Sequence, residues 1–187
     1  GQRAAEINFI KKEVSLAKNN LYFFCRGTKS KSRLIAEKFN KTDTNITHVG
    51  TGFIKNKRLQ IYNVTDENLR LESALKIDSL ESFISSPDVY YLSIWKCDLN
   101  AKEFQKFIKA CKRYSSRKIF FDASFNISND DTLYCSEFCA SLLNNIGLGK
   151  FDFMPEIIEI NNRLIESVLD RKWLCYFPVD FFQANKY

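Results

Sequence analysis

Two strand-like runs, Ile46-Thr47-His48-Val49-Gly50-Thr51-Gly52-Phe53-Ile54 and Leu59-Gln60-Ile61-Tyr62-Asn63-Val64, flank the short polar segment Lys55-Asn56-Lys57-Arg58. A connection that short makes the two runs pair antiparallel. Whether the turn has two or four residues, the register is the same: Ile54 faces Leu59, Gly50 faces Asn63 and His48 faces Thr65. Strand side chains alternate between faces, so His48, Gly50 and Asn63 share one, with Asn63 on the diagonal from His48. Any fold of this chain must therefore hold an antiparallel sheet, and its sole histidine stands on that sheet.

Around the hairpin the periodicity alternates between helix and strand. Residues 4–18 carry Ile7, Ile10, Val14 and Leu16 at helical spacing up to Asn19-Asn20. Leu21 to Cys25 is an aromatic-rich run expected to be a buried strand, and residues 32–40 read as a helix. Further on, a short helix is expected over 78–84, a strand over 89–95, an amphipathic helix over 100–114 on Phe104, Phe107, Ile108 and Cys111, and a strand over 118–121. Residues 134–146 place Cys135, Phe138, Cys139, Leu142, Leu143 and Ile146 on one helical stripe closed by Gly147. A helix is expected over 155–169, and residues 173–182 hold two short apolar pieces around Pro178.

Seventeen Phe and eight Tyr against six Gly and three Pro, at 45% apolar composition, point to one packed α+β domain over 1–187. The net charge of +6 is spread over short clusters such as Lys11-Lys12, Lys55 to Arg58 and Lys112-Arg113. None is long enough for a nucleic-acid arm, and no nucleic-acid partner is expected. Every apolar run is interrupted by charge well short of a membrane span. The chain begins at Gly1, which suggests a removed leader and favours export; oligomeric state is not legible. Six cysteines without a C-x-x-C pair argue for buried thiols, not a disulfide framework. Cys135, Cys139 and His48 supply three of the four ligands of a structural zinc site, and no fourth is suitably spaced, so no metal is expected.

The chemistry-bearing residues converge on a thiol. Cys135 falls in the first turn of its helix, after the capping candidates Asp131 and Thr132. There, unpaired backbone N–H groups favour a thiolate and can hold an oxyanion. His48 is the sole base for a Cys-His mechanism. Gly50 and Gly52 clear side chains from the face that carries it, as expected if a helix end is to bring sulfur to the ring. Asn63, on that face, can accept from one ring nitrogen and leave the other to the thiol. Glu72 and Asp66 are alternatives for the orienting role.

Thr47-His48-Val49-Gly50, Ser79-Leu80-Glu81-Ser82-Phe83-Ile84 and Leu133-Tyr134-Cys135-Ser136-Glu137-Phe138, in that order, resemble the YiiX-like permuted papain-like amidases of the NlpC superfamily. Their marks are an S-H-V-G strand, an S-L-E-x-F segment and a Y-C-S-E-L-V helix start. The likeness spans roughly residues 20–145. It implies a circularly permuted papain-like fold, a central antiparallel sheet packed against helices, in which His48 precedes Cys135. It further implies hydrolysis of an amide or related acyl bond in a small amide, peptide or lipid, with no cofactor. Cys135 and His48 carry over as nucleophile and base, with backbone N–H groups of Cys135 and Ser136 as the oxyanion hole. Many relatives have Glu in the third position where this chain offers Asn63, the residue type papain uses. Phe138-Cys139 replaces Leu-Val, and Glu137 belongs to the motif as a partner of the helix-start N–H groups, not a catalyst. Acyl transfer and a silent lipid- or peptidoglycan-binding module remain alternatives.

Overall fold

The computed structural model describes residues 1–15, 19–29, 33–66, 73–127, 130–147 and 149–184. Asn20–Thr28 form β1, buried at every position. Its run Leu21-Tyr22-Phe23-Phe24-Cys25 has no polar side to show to water, so it requires cover on both faces. Sheet neighbours flank it: β2 (His48–Lys55), β3 (Arg58–Val64), β4 (Leu75–Asp78) and β5 (Val89–Asp98) join it in the order β4-β3-β2-β1-β5, every pair antiparallel. The β2–β3 register runs from Lys55 opposite Arg58, through Ile54 opposite Leu59, to Thr51 opposite Tyr62, as the hairpin argument requires. Asn56 and Lys57 make the two-residue turn with φ of 51° and 62°, the left-handed pair that matches strand twist.

Each sheet face has its own core. On one side Leu21, Phe23, Cys25, Val49, Phe53, Tyr62 and Val64 pack with α2 (Arg33–Phe39), α4 (Ala101–Ser115) and α5 (Cys135–Asn144). On the other, Tyr22, Phe24 and Ile61 pack with α3 (Leu80–Phe83) and with Val14 of α1 (Gln2–Ser15). Phe23, Phe53, Phe107 and Phe138 on the first side, and Phe24 and Phe83 on the second, are fully enclosed. Each contributes about 1.5–3 kcal/mol by burial, against at most about 1 kcal/mol for an exposed ion pair. Packing of this sheet, not surface charge, therefore fixes the positions from which the site is built. Helix α4 falls on the expected amphipathic stretch, and a capping box that the sequence reading did not anticipate holds its first turn: Asn100 accepts from the Glu103 N–H and Glu103 accepts from the Asn100 N–H, both at 2.9 Å.

Several expectations need correcting. The segment 155–169 is not one helix: β8 (Glu156–Glu159) precedes α6 (Arg163–Leu169) and pairs antiparallel with β9 (Trp173–Tyr176). Asn161 at φ 46° and the N-cap Asn162 break the run between them. The expected strand at 118–121 shortens to β6 (Phe120–Phe121), paired in parallel with β7 (Thr132–Leu133). That pairing takes Thr132, and Asp131 bonds Arg117, so neither caps α5. Tyr134 holds the N-cap position instead, and its N–H donates to Glu137 at 3.4 Å. The short strand β4 was not anticipated; four residues are too few for a period, and the edge of β3 supplies their partners. A 3₁₀ turn, Phe181–Ala184, follows Pro178.

Candidate active site

Cys135 is the first residue of α5, delivered there by β7, which is anchored where the Asp122 N–H donates to the Leu133 carbonyl at 3.0 Å. Helix α5 lies on the first sheet face, with Phe138 edge-on to Tyr114 at 5.5 Å and the Cys139 sulfur 3.8 Å from the Val49 carbonyl oxygen. Cys135 is partly exposed. Burial pushes its thiol up from the usual value, opposed by backbone N–H groups of Val49 and Ser136 and by the charge of Arg26. The helix start thus favours the thiolate as expected, but desolvation is the larger effect. Val49 directly follows His48, so the sulfur lies beside the first residues of β2.

His48 opens β2 directly opposite Arg26 of β1. Its ring lies against Phe83, centroids 5.7 Å apart, while the Arg26 guanidinium sits 4.7 Å from the centre of the same ring and donates to the Phe83 carbonyl. His48 Nε2 is 2.9 Å from Asn63 Oδ1. The Asn63 amide nitrogen donates to Asp78 Oδ2 at 2.8 Å and reaches the Ile61 carbonyl at 3.4 Å, and Ser82 donates to Asp78 Oδ1 at 2.9 Å. With Nε2–H given to Asn63, a neutral imidazole carries its lone pair on Nδ1.

Both Cys135 and His48 line one cleft of about 180 Å³ at the end of the sheet, with Phe121, Phe125, Tyr134 and Tyr176 as aromatic walls. Tyr134 and Tyr176 stack at 5.2 Å, and the Phe177 N–H donates to the Tyr134 hydroxyl at 2.9 Å. The strand entry that presents His48 is clamped from the C-terminal side. Buried Asp180 accepts from the N–H groups of Lys41, Thr42 and Asp43 at 2.7–3.2 Å, and Asn40 donates to the carbonyls of Asp43 and Ile46.

The sequence-predicted residues Cys135, Ser136, His48 and Asn63 gather at this end of the molecule, but the glycines act differently from expectation. An added Cβ at Gly50 would meet Ile61 Cγ2 at 2.9 Å and Asn63 Cβ at 3.0 Å, and one at Gly52 would meet the Gln60 carbonyl at 2.6 Å. They let sheet neighbours close up and bring Asn63 toward His48; α5 packs on the opposite face. Asp66 is exposed at the cleft, and the His48 Nε2 bond goes to Asn63. Glu72 lies outside the described residues. Arg26 and Asp78 were missed: pairing β1 with β2 would have found Arg26, whereas Asp78 was read as the start of a helix.

The fold is α+β: among the described residues, a five-stranded antiparallel sheet and six helices. A solved structure with a similar fold is described as metalloprotein yiiX from Escherichia coli O157:H7, DUF1105; the match has a TM-score of 0.62 and 18% identity, and covers 84% of this chain and 89% of that one. No protein-family model matches the chain, and no curated protein does. That neighbour is described as a metalloprotein. Among the described residues no three His, Cys, Asp or Glu side chains group to hold an ion, and Cys139 turns its sulfur to the Val49 carbonyl. No described helix is long and apolar enough to cross a membrane.

Proposed function

We propose that residues 1–187 form one permuted papain-like domain acting as a cysteine hydrolase of an amide or related acyl bond. The observation that carries this reading is that His48, held by a 2.9 Å bond from Nε2 to the buried Asn63 Oδ1, lines the same cleft as Cys135. In the reaction His48 takes the thiol proton and the Cys135 sulfur attacks the substrate carbonyl carbon. Backbone N–H groups of Cys135 and Ser136 at the helix start hold the oxyanion. Collapse breaks the bond to the leaving amine or alcohol, which receives the proton from His48. Water, deprotonated by His48, then attacks the thioester carbonyl; the C–S bond breaks, the acyl group leaves as the carboxylic acid, and the sulfur takes the proton back from His48.

Because burial raises the Cys135 thiol, its proton is best moved to His48 as the nucleophile attacks. The cleft volume of about 180 Å³ is below the usual range for drug-sized ligands, which fits entry of a short acyl or peptide end while the remainder of the substrate stays outside.

A screen of N-acyl amino acids, cell-wall peptides and lipid esters, run beside Cys135→Ala, tests the reading. Turnover lost in the variant supports it. The raised thiol also favours a second reading, a lipid- or peptidoglycan-binding module without turnover. Binding of one of these ligands with no turnover, unchanged in Cys135→Ala, would select that module. Acyl acceptors included in the screen separate transfer from hydrolysis.

A further inference from the structure

We propose that Asp78 is a positioning residue that sets the polarity of the Asn63 amide and thereby the tautomer of His48; its catalytic meaning rests on the hydrolase reading, its structural content does not. An asparagine amide has an acceptor end and a donor end, and either can face a histidine nitrogen. A carboxylate accepts only. Asp78 Oδ2, 2.8 Å from the Asn63 amide nitrogen, therefore fixes that end as NH₂ and turns Oδ1 to His48 Nε2 at 2.9 Å. Oδ1 in turn demands a proton on Nε2, which leaves Nδ1 as the basic nitrogen. The Ile61 carbonyl pulls in the same sense, but at 3.4 Å and without charge it is the weaker partner.

Asp78 is itself held. It ends β4 opposite Ile61, and Ser82 donates to Oδ1 at 2.9 Å while the Ser82 N–H is bound by Ser79 Oγ at 3.1 Å. The order of donors and acceptors from Ser82 through Asp78 and Asn63 to the ring is thus determined at every link. Asn63 is buried, so no solvent alternative competes with the carboxylate.

The chain has one histidine, so its ring ¹⁵N signals in tag-free protein can be assigned without ambiguity. The measurement uses Cys135→Ala, at a pH where the imidazole is neutral, to remove any thiolate partner. The parent is expected to show the proton on Nε2. Asp78→Asn supplies a partner that fits either amide orientation, and the ring signals are expected to move toward an average of two tautomers. The exchange pair Asn63→Asp with Asp78→Asn restores an acceptor beside Nε2 and is expected to restore the parent signals. With Cys135 intact, Asp78→Asn is expected to slow alkylation of Cys135 about tenfold, and the exchange pair to recover it. Ring signals unchanged in Asp78→Asn, or an exchange pair that does not return them, would overturn the assignment. The ring signals judge Asp78 whether or not the chain proves to be a hydrolase.

Discussion

Gly50 lies so close beneath Asn63 that a methyl group on it would come within 3.0 Å of the asparagine Cβ. Gly50→Ala must therefore push Asn63 away from His48 or strain the hairpin. The expected loss is about 1–3 kcal/mol in urea unfolding, with slower alkylation of Cys135. Gly52→Ala is the control. Its Cβ would meet the Gln60 carbonyl at 2.6 Å and Phe24 at 3.0 Å, which costs stability without displacing Asn63. Equal loss of thiol reactivity in both variants, compared where both are fully folded, would contradict the assigned role of Gly50.

Arg26 lowers the thiol pKa of Cys135 against the larger, opposite effect of burial. Removing its charge in Arg26→Met moves the alkylation-rate profile of Cys135 to higher pH, and at neutral pH the rate falls several-fold. Added salt should shrink the difference between wild type and variant only modestly, because Arg26 is buried and poorly screened. A profile shifted to lower pH would rule out this electrostatic role.

Glu137 gives the fold a pH dependence of its own. Burial pushes its carboxyl up from the ordinary 4.5 to about 8, and Asp122 and Asp130 add to the rise. Between those values the folded chain keeps a proton that the unfolded chain releases. The stabilisation is complete below the unfolded pKa and is lost as pH rises through the folded one, with a slope of at most about 1.4 kcal/mol per pH unit. Urea unfolding should show lower stability at about pH 7.5 than at about pH 5.5, and Glu137→Gln should flatten that difference.

What the sequence discloses follows the strength of each pattern. The hairpin was legible because a short polar turn between two apolar runs leaves one register, and that register places Asn63 beside His48. Helices α4 and α5 were legible from their apolar stripes, whereas the capping pair Asn100 and Glu103 of α4 went unread. Strands β4 and β8 were not. Leu75–Asp78 and Glu156–Glu159 have four residues each, and they are strands because β3 and β9 lie alongside them. Asp78 was missed for the same reason, since its role depends on a strand pairing and not on a local motif. The glycines were recognised as space-makers, but which neighbour used the space required knowing that α5 covers the other face.

Activation of Cys135 by His48 is read out by timed iodoacetamide alkylation of Cys135. Cys175 is exposed and would also react, so the measurement belongs in a Cys175→Ser background, where Cys25, Cys97, Cys111 and Cys139 are buried. Rapid, stoichiometric labelling of Cys135 is expected, falling about a hundredfold in His48→Ala and by a smaller factor in Asn63→Ala. A Cys135 that does not label, or labels at the same rate without His48, would contradict it.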